Sequence, residues 1–169
     1  MAKFIEVDAG GTFREREIQL NDLYQEVILD HNRRPRNFKK LANATAYAHG
    51  VNPLCGDDYQ LFLNVDENGI IKEVGFEGQG CAISKASASM MTVAIQGQSK
   101  EEARRLQEAF IHLLTDGTTS EAVRLQAGKL KIFEGVKQFP IRVKCAALIW
   151  RALEAALKDS TEKKEVSTE

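Results

Sequence analysis

The chain has 169 residues, 43% of them hydrophobic, enough for one globular domain with a substantial core. Its 23 basic and 24 acidic residues nearly cancel to a net charge of -1, which argues against partners held by bulk charge, such as nucleic acid or an anionic membrane. The N-terminus lacks the basic start and apolar core of a signal peptide, and no apolar run is long enough to span a bilayer, so a cytoplasmic location is expected.

Residues 1–19 show no clear period and read as an N-terminal extension. In "NDLYQEVILDHNRRPRN", Asn21 or Asp22 can cap a helix whose apolar positions Leu23, Val27 and Ile28 recur at helical spacing, and Pro35 stops it. The basic cluster at its end reads as a solvated helix terminus. "TAYAHGV", "DYQLFLNV" and "GIIKEVGFE" predict three strands, the last two joined by the Asn68-Gly69 pair of a two-residue hairpin loop. "CAISKASASMMTVAI" predicts a helix of small residues, and "SKEEARRLQEAFIHLLTDG" predicts another, opened by Ser99 and Glu102 at capping-box spacing. "TSEAVRLQAG" adds a short helix. "FPIRVKCAALIWRALEAALKD" predicts a last amphipathic helix with Pro140 near its start. Residues 159–169 are charged and expected to be disordered, which leaves 20–158 as the domain proper.

Three cysteines in a reducing compartment stay as thiols, which favours metal binding or thiol chemistry over a disulfide framework. The hairpin sets their geometry. A loop at Asn68-Gly69 places Leu61 opposite Phe76 and Leu63 opposite Val74, putting Tyr59 and Val65 on the same apolar face. Continued to the open end, that register sets Asp57 opposite Gly80 and Gly56 opposite Cys81. Cys55, Asp57 and Cys81 then converge. Cys81 also enters a helix after the glycine-rich "EGQG", where unpaired N–H groups and the helix dipole favour a thiolate. Cys145, in "KCAALIW", reads most like a core residue, and becomes a third thiol of the cluster if its helix docks at the hairpin end. His31, His49 and His112 read as structural or exposed positions.

Taken together, "LYQEVILDHNRRPRN", "NPLCGD", "GQGCAISKASASMM" and "RVKCAALIW" resemble the IscU/NifU family of iron–sulfur cluster assembly proteins, from Leu20 to Leu157. Two features look closest to the SufU-type branch: the long segment between Cys81 and Cys145, and Lys144, where scaffold-type members have histidine. The resemblance implies an α+β fold, with a small three-stranded antiparallel sheet packed against a layer of helices. It also implies a metal site formed by Cys55, Asp57, Cys81 and Cys145, with Cys55 as the sulfur acceptor. Three thiolates and a carboxylate supply the tetrahedral donor number of zinc and leave the filled site anionic, which Arg142 or Lys144 can offset. The implied activity is zinc-dependent sulfur transfer from a PLP-dependent cysteine desulfurase of the SufS type, with downstream iron–sulfur scaffold proteins as further partners. The alternative is a non-enzymatic scaffold on which a nascent Fe–S cluster is assembled and transferred.

Overall fold

Strand alternation and buried helix faces account for the architecture of the computed structural model, which describes residues 25–158 and 165–168. Strands β1 (Ala46–Asn52), β2 (Asp57–Val65), β3 (Ile71–Gln79) and β4 (Glu165–Ser167) form one sheet in the order β3-β2-β1-β4. β1 pairs antiparallel with β2 and β2 with β3, whereas β4 lies parallel to β1. Helix α1 covers residues 25–33 and ends before Pro35; its expected start at Asn21, Asp22 and Leu23 lies outside the described residues, as does the extension 1–19. The remaining helices are α2 (Ala82–Ile95), α3 (Lys100–Thr115), α4 (Glu121–Ala127) and α5 (Pro140–Ala156), with a 3-10 segment at Gly128–Gln138 before α5. No helix among the described residues is long and apolar enough to cross a membrane.

The sheet corrects three expectations. It has four strands and mixed direction instead of three antiparallel strands, and the fourth comes from the tail expected to be disordered. β4 is three residues long, with Val166 half-buried against the core, and Thr168 N–H donates to Val51 O at 3.1 Å. So short and charged a strand has no period to read, and its stability comes from pairing with β1 across more than a hundred residues of chain.

The third correction concerns the β2–β3 loop. Asp66 N–H donates to Ile70 O at 2.9 Å and Gly69 N–H to Asp66 O at 3.0 Å, so the loop has three residues, 67–69. Asp66 Oδ1 accepts the N–H groups of Asn68 and Ile70, each at 2.9 Å, and this side-chain cap holds a turn that ends with Gly69 at φ 78. Val65 therefore faces Ile71. An irregularity between Asn64 and Val65 then restores the expected register, with Leu63 opposite Val74 and Leu61 opposite Phe76. Two local departures cancel, and the apolar face stays as the alternation requires.

α2 and α5 cover that face. α2 is rich in Ala and Ser, and its small side chains let α5 approach closely while each buried hydroxyl demands a partner. Ser87 Oγ donates to Ala146 O at 2.7 Å and accepts from the Trp150 indole N–H at 3.0 Å. Ser89 Oγ accepts Arg36 N–H at 2.8 Å and bonds His31 Nδ1 at 2.7 Å, tying the turn after α1 to α2. Trp150 is fully buried and stacks on Phe110 with ring centroids 4.5 Å apart, locking α5 against α3. On the sheet side, a Cβ at Gly50 would stand 3.1 Å from Leu148 Cδ1, so the missing side chain lets α5 lie directly over β1. Leu148 thus seats at Gly50, and Cys145, one turn earlier on α5, reaches Asn52 at the end of the strand.

Candidate metal and thiol site

The site grows from the turn between β1 and β2. Asn52 and Asp57 pair across the strand ends, and Cys55 N–H donates to Asn52 O at 3.2 Å. Gly56 closes the turn at φ 69, a left-handed conformation that a side chain would strain. Cys55 is consequently held half-buried at the turn, with Leu54 beside it 67% exposed.

Asp57 is 1% exposed and fully engaged. Its Oδ1 accepts Cys81 N–H at 2.9 Å and the Ser84 hydroxyl at 3.0 Å, and its Oδ2 accepts from Asn52 Nδ2 at 3.4 Å. Cys81 is the N-cap of α2, and its Sγ accepts Ser84 N–H at 3.4 Å. The Tyr59 hydroxyl lies 3.2 Å from Ser84 Oγ, and burial pushes the Tyr59 phenol well above its ordinary value. Cys145 is fully buried, and Asn52 Nδ2 donates toward its Sγ at 3.7 Å. Burial raises the Cys145 thiol far above the ordinary range, and the neighbouring Cys55, Cys81 and Asp57 push it the same way.

The ligand atoms of Cys55, Asp57 and Cys145 all lie within 4.8 Å of one another. Cys81 adjoins them through its backbone N–H to Asp57, with its Sγ engaged as the helix cap. Three of the residues singled out from sequence therefore meet as a potential metal-ligating group, and the fourth stands next to it. The donor set suits zinc: soft thiolates plus a carboxylate, crowded so closely that a divalent cation would offset their mutual repulsion.

Arg142 lines a cavity of about 970 Å³ with Phe139, Ile83 and the 3-10 segment. Lys144 lines a groove with Ala147 and Val166. The histidines find partners elsewhere: His31 at Ser89, His49 at Asp58 (2.6 Å) and His112 at Asp116 (3.1 Å).

Sequence reasoning missed Asn52, Ser84, Tyr59 and Gly80. Ser84 carries a readable signal, since it is the third residue of a helix capped by Cys81, and Tyr59 follows Asp57 at strand spacing. Asn52 can be placed only once β1 is registered on β2. Gly80 is required by space: a Cβ there would lie 2.5 Å from Ser84 Oγ, 2.6 Å from Asp57 Oδ1 and 2.7 Å from the Tyr59 hydroxyl. Gly80→Ala must push this polar cluster apart and should cost about 1–3 kcal/mol of stability, as overpacked interiors do. The check is the urea midpoint at unchanged m-value, and an unmoved midpoint would mean that the three side chains yield freely.

A thiol–carboxylate cluster at one end of a sheet, closed over by two helices, defines an α+β protein with a donor group that could hold a metal ion. Residues 23–146 match the NifU-like N-terminal domain. The chain is 41% identical over 135 residues to the zinc-dependent sulfurtransferase SufU of Bacillus subtilis (strain 168), covering 80% of this chain and 89% of that protein. It is also 41% identical over 142 residues to the iron–sulfur cluster assembly scaffold protein IscU of Streptococcus pyogenes serotype M1, covering 84% and 87%. Among solved structures it resembles a putative iron–sulfur cluster assembly scaffold protein for the SUF system from Fervidobacterium islandicum AW-1, with TM-score 0.73 and 36% identity over 82% of this chain and 98% of that one. The chain belongs to the IscU/NifU family of iron–sulfur cluster assembly proteins.

Proposed function

We propose that this protein is a SufU-type sulfur acceptor in iron–sulfur cluster assembly, receiving sulfur at Cys55 from a PLP-dependent cysteine desulfurase of the SufS type. Zinc is held by Cys55, Asp57, Cys81 and Cys145. The observation that carries this reading is a half-buried thiol on a turn, within 4.8 Å of the ligand atoms of a buried carboxylate and a buried thiol. When bound, zinc keeps the cysteines deprotonated and offsets the charge of the donor set. In the transfer, the Cys55 thiolate attacks the outer sulfur of the donor persulfide, the donor S–S bond breaks, and the donor cysteine leaves as a thiolate. The transferred sulfur keeps its proton and its oxidation level, so no further oxidant or reductant is needed. Leu54 beside Cys55, with Phe139 (60% exposed) and Ile141 (61% exposed) at the start of α5, offers apolar surface to a docking donor. Downstream scaffold proteins would receive the sulfur.

A second reading is favoured by the equal identity to a relative named as a scaffold: the same residues would hold an Fe–S cluster during its assembly and transfer to client proteins. Lys144 supports the acceptor reading through the resemblance to the SufU-type branch, which it is one of two features to suggest. Metal analysis separates the two. Protein purified without added iron should carry about one zinc per chain, the number that a single four-donor site takes. Iron and inorganic sulfide in place of zinc would establish the scaffold reading instead.

A further inference from the structure

Asn52 is fully buried at the end of β1, a position where asparagine usually serves the turn through its side-chain oxygen accepting a backbone N–H two residues on. Here it does not. Its Oδ1 has no partner among the described residues, while its Nδ2 faces Asp57 Oδ2 at 3.4 Å and Cys145 Sγ at 3.7 Å. An unpaired buried acceptor works against folding, and asparagine is a poor strand former, so the fold gains little from this side chain. What the amide does accomplish is to direct N–H donors at two proposed metal ligands from different elements, one on β2 and one on α5.

We infer that Asn52 is a positioning residue for the metal site, bridging Asp57 and Cys145 so that their donor atoms face a common point. This rests on the zinc reading above. Both ligands are acceptors when ionised, and hydrogen bonds to a ligand from an outer partner fix its orientation and tune its donor strength. The turn geometry would remain without the side chain, because it is the backbone O of Asn52 that accepts Cys55 N–H.

The test compares wild type, Asn52→Ala and Asn52→Asp by zinc competition against a chelator and by urea unfolding of the metal-free protein. Asn52→Ala should weaken zinc binding by about 10–100-fold, the usual effect of losing an outer-shell partner. Its metal-free urea midpoint should barely move, since the lost contacts are long and an unpaired acceptor goes with them. Asn52→Asp keeps the volume and removes the same N–H donors but adds an anion that attracts the cation, so its zinc affinity should stand above that of Asn52→Ala while its metal-free fold, with two carboxylates side by side, should be less stable than the wild type. With Co²⁺ in place of zinc, Asn52→Ala should also shift the sulfur-to-cobalt charge-transfer band, because a thiolate has lost an N–H donor. Wild-type zinc affinity in Asn52→Ala would overturn the inference, as would a metal-free midpoint of that variant that falls in proportion to the affinity. A wild type that takes up no zinc would overturn the metal reading itself, a result distinguishable from the other two.

Discussion

Cys55→Ser should abolish sulfur acceptance. Incubated with a cysteine desulfurase and cysteine, the wild type should gain a persulfide and accelerate alanine release, and the variant should do neither. The effect is absolute because a hydroxyl of nearly the same size cannot form the S–S bond that stores the transferred sulfur. Folding should survive, since Cys55 lies half-buried in a turn whose shape depends on Gly56 and on a backbone hydrogen bond. The other thiols are poor substitutes. Cys145 is fully buried on the inner face of α5, and the Cys81 Sγ is occupied as the cap of α2. Mass analysis of labelled peptides decides the matter: transfer at the wild-type rate with the label on Cys81 or Cys145 would remove Cys55 as the acceptor.

Asp57→Ala should have the second large effect, on both metal and fold. Its carboxylate satisfies Cys81 N–H, the Ser84 hydroxyl and the Asn52 amide, so truncation strands buried donors and should destabilise the metal-free protein by about 1–3 kcal/mol. Zinc affinity should fall by more than the about 10–100-fold typical of an outer-shell change, because a ligand is lost. Asp57→Asn separates the two consequences. The amide oxygen can still accept from Cys81 and Ser84, and Asn52 can turn its unpartnered Oδ1 toward the new Nδ2, so stability should recover while zinc affinity stays low. Chelator competition and urea unfolding of the three proteins provide the comparison, and undiminished zinc affinity in Asp57→Ala would strike Asp57 from the ligand set.

The signals legible in the sequence are those that act over a few residues. Ser99 accepts Glu102 N–H at 3.1 Å as the capping spacing requires, Pro140 opens α5, and Cys81 caps α2. Period-two alternation was strong enough to pair Leu61 with Phe76 even though the loop beside it was misread, because a slip of one residue would turn the whole apolar face to solvent. The approach of Cys81 to Asp57 followed from that same register, whereas the group of donor atoms that the structure brings together is Cys55, Asp57 and Cys145. Other features were decided by contacts between distant segments. β4 exists because β1 offers it an edge, the 3-10 segment packs against α3 and α5, and Cys145 reaches Asn52 because Gly50 lets Leu148 sink onto the strand. Each of these depends on close packing between surfaces that the chain brings together only on folding, and a surface has no periodic trace in the residues on either side of it. For that reason the residues around Cys145 read most like core, and only the family resemblance placed it at the site. In the folded protein it is a fully buried side chain whose sulfur lies within 4.8 Å of the ligand atoms of Cys55 and Asp57.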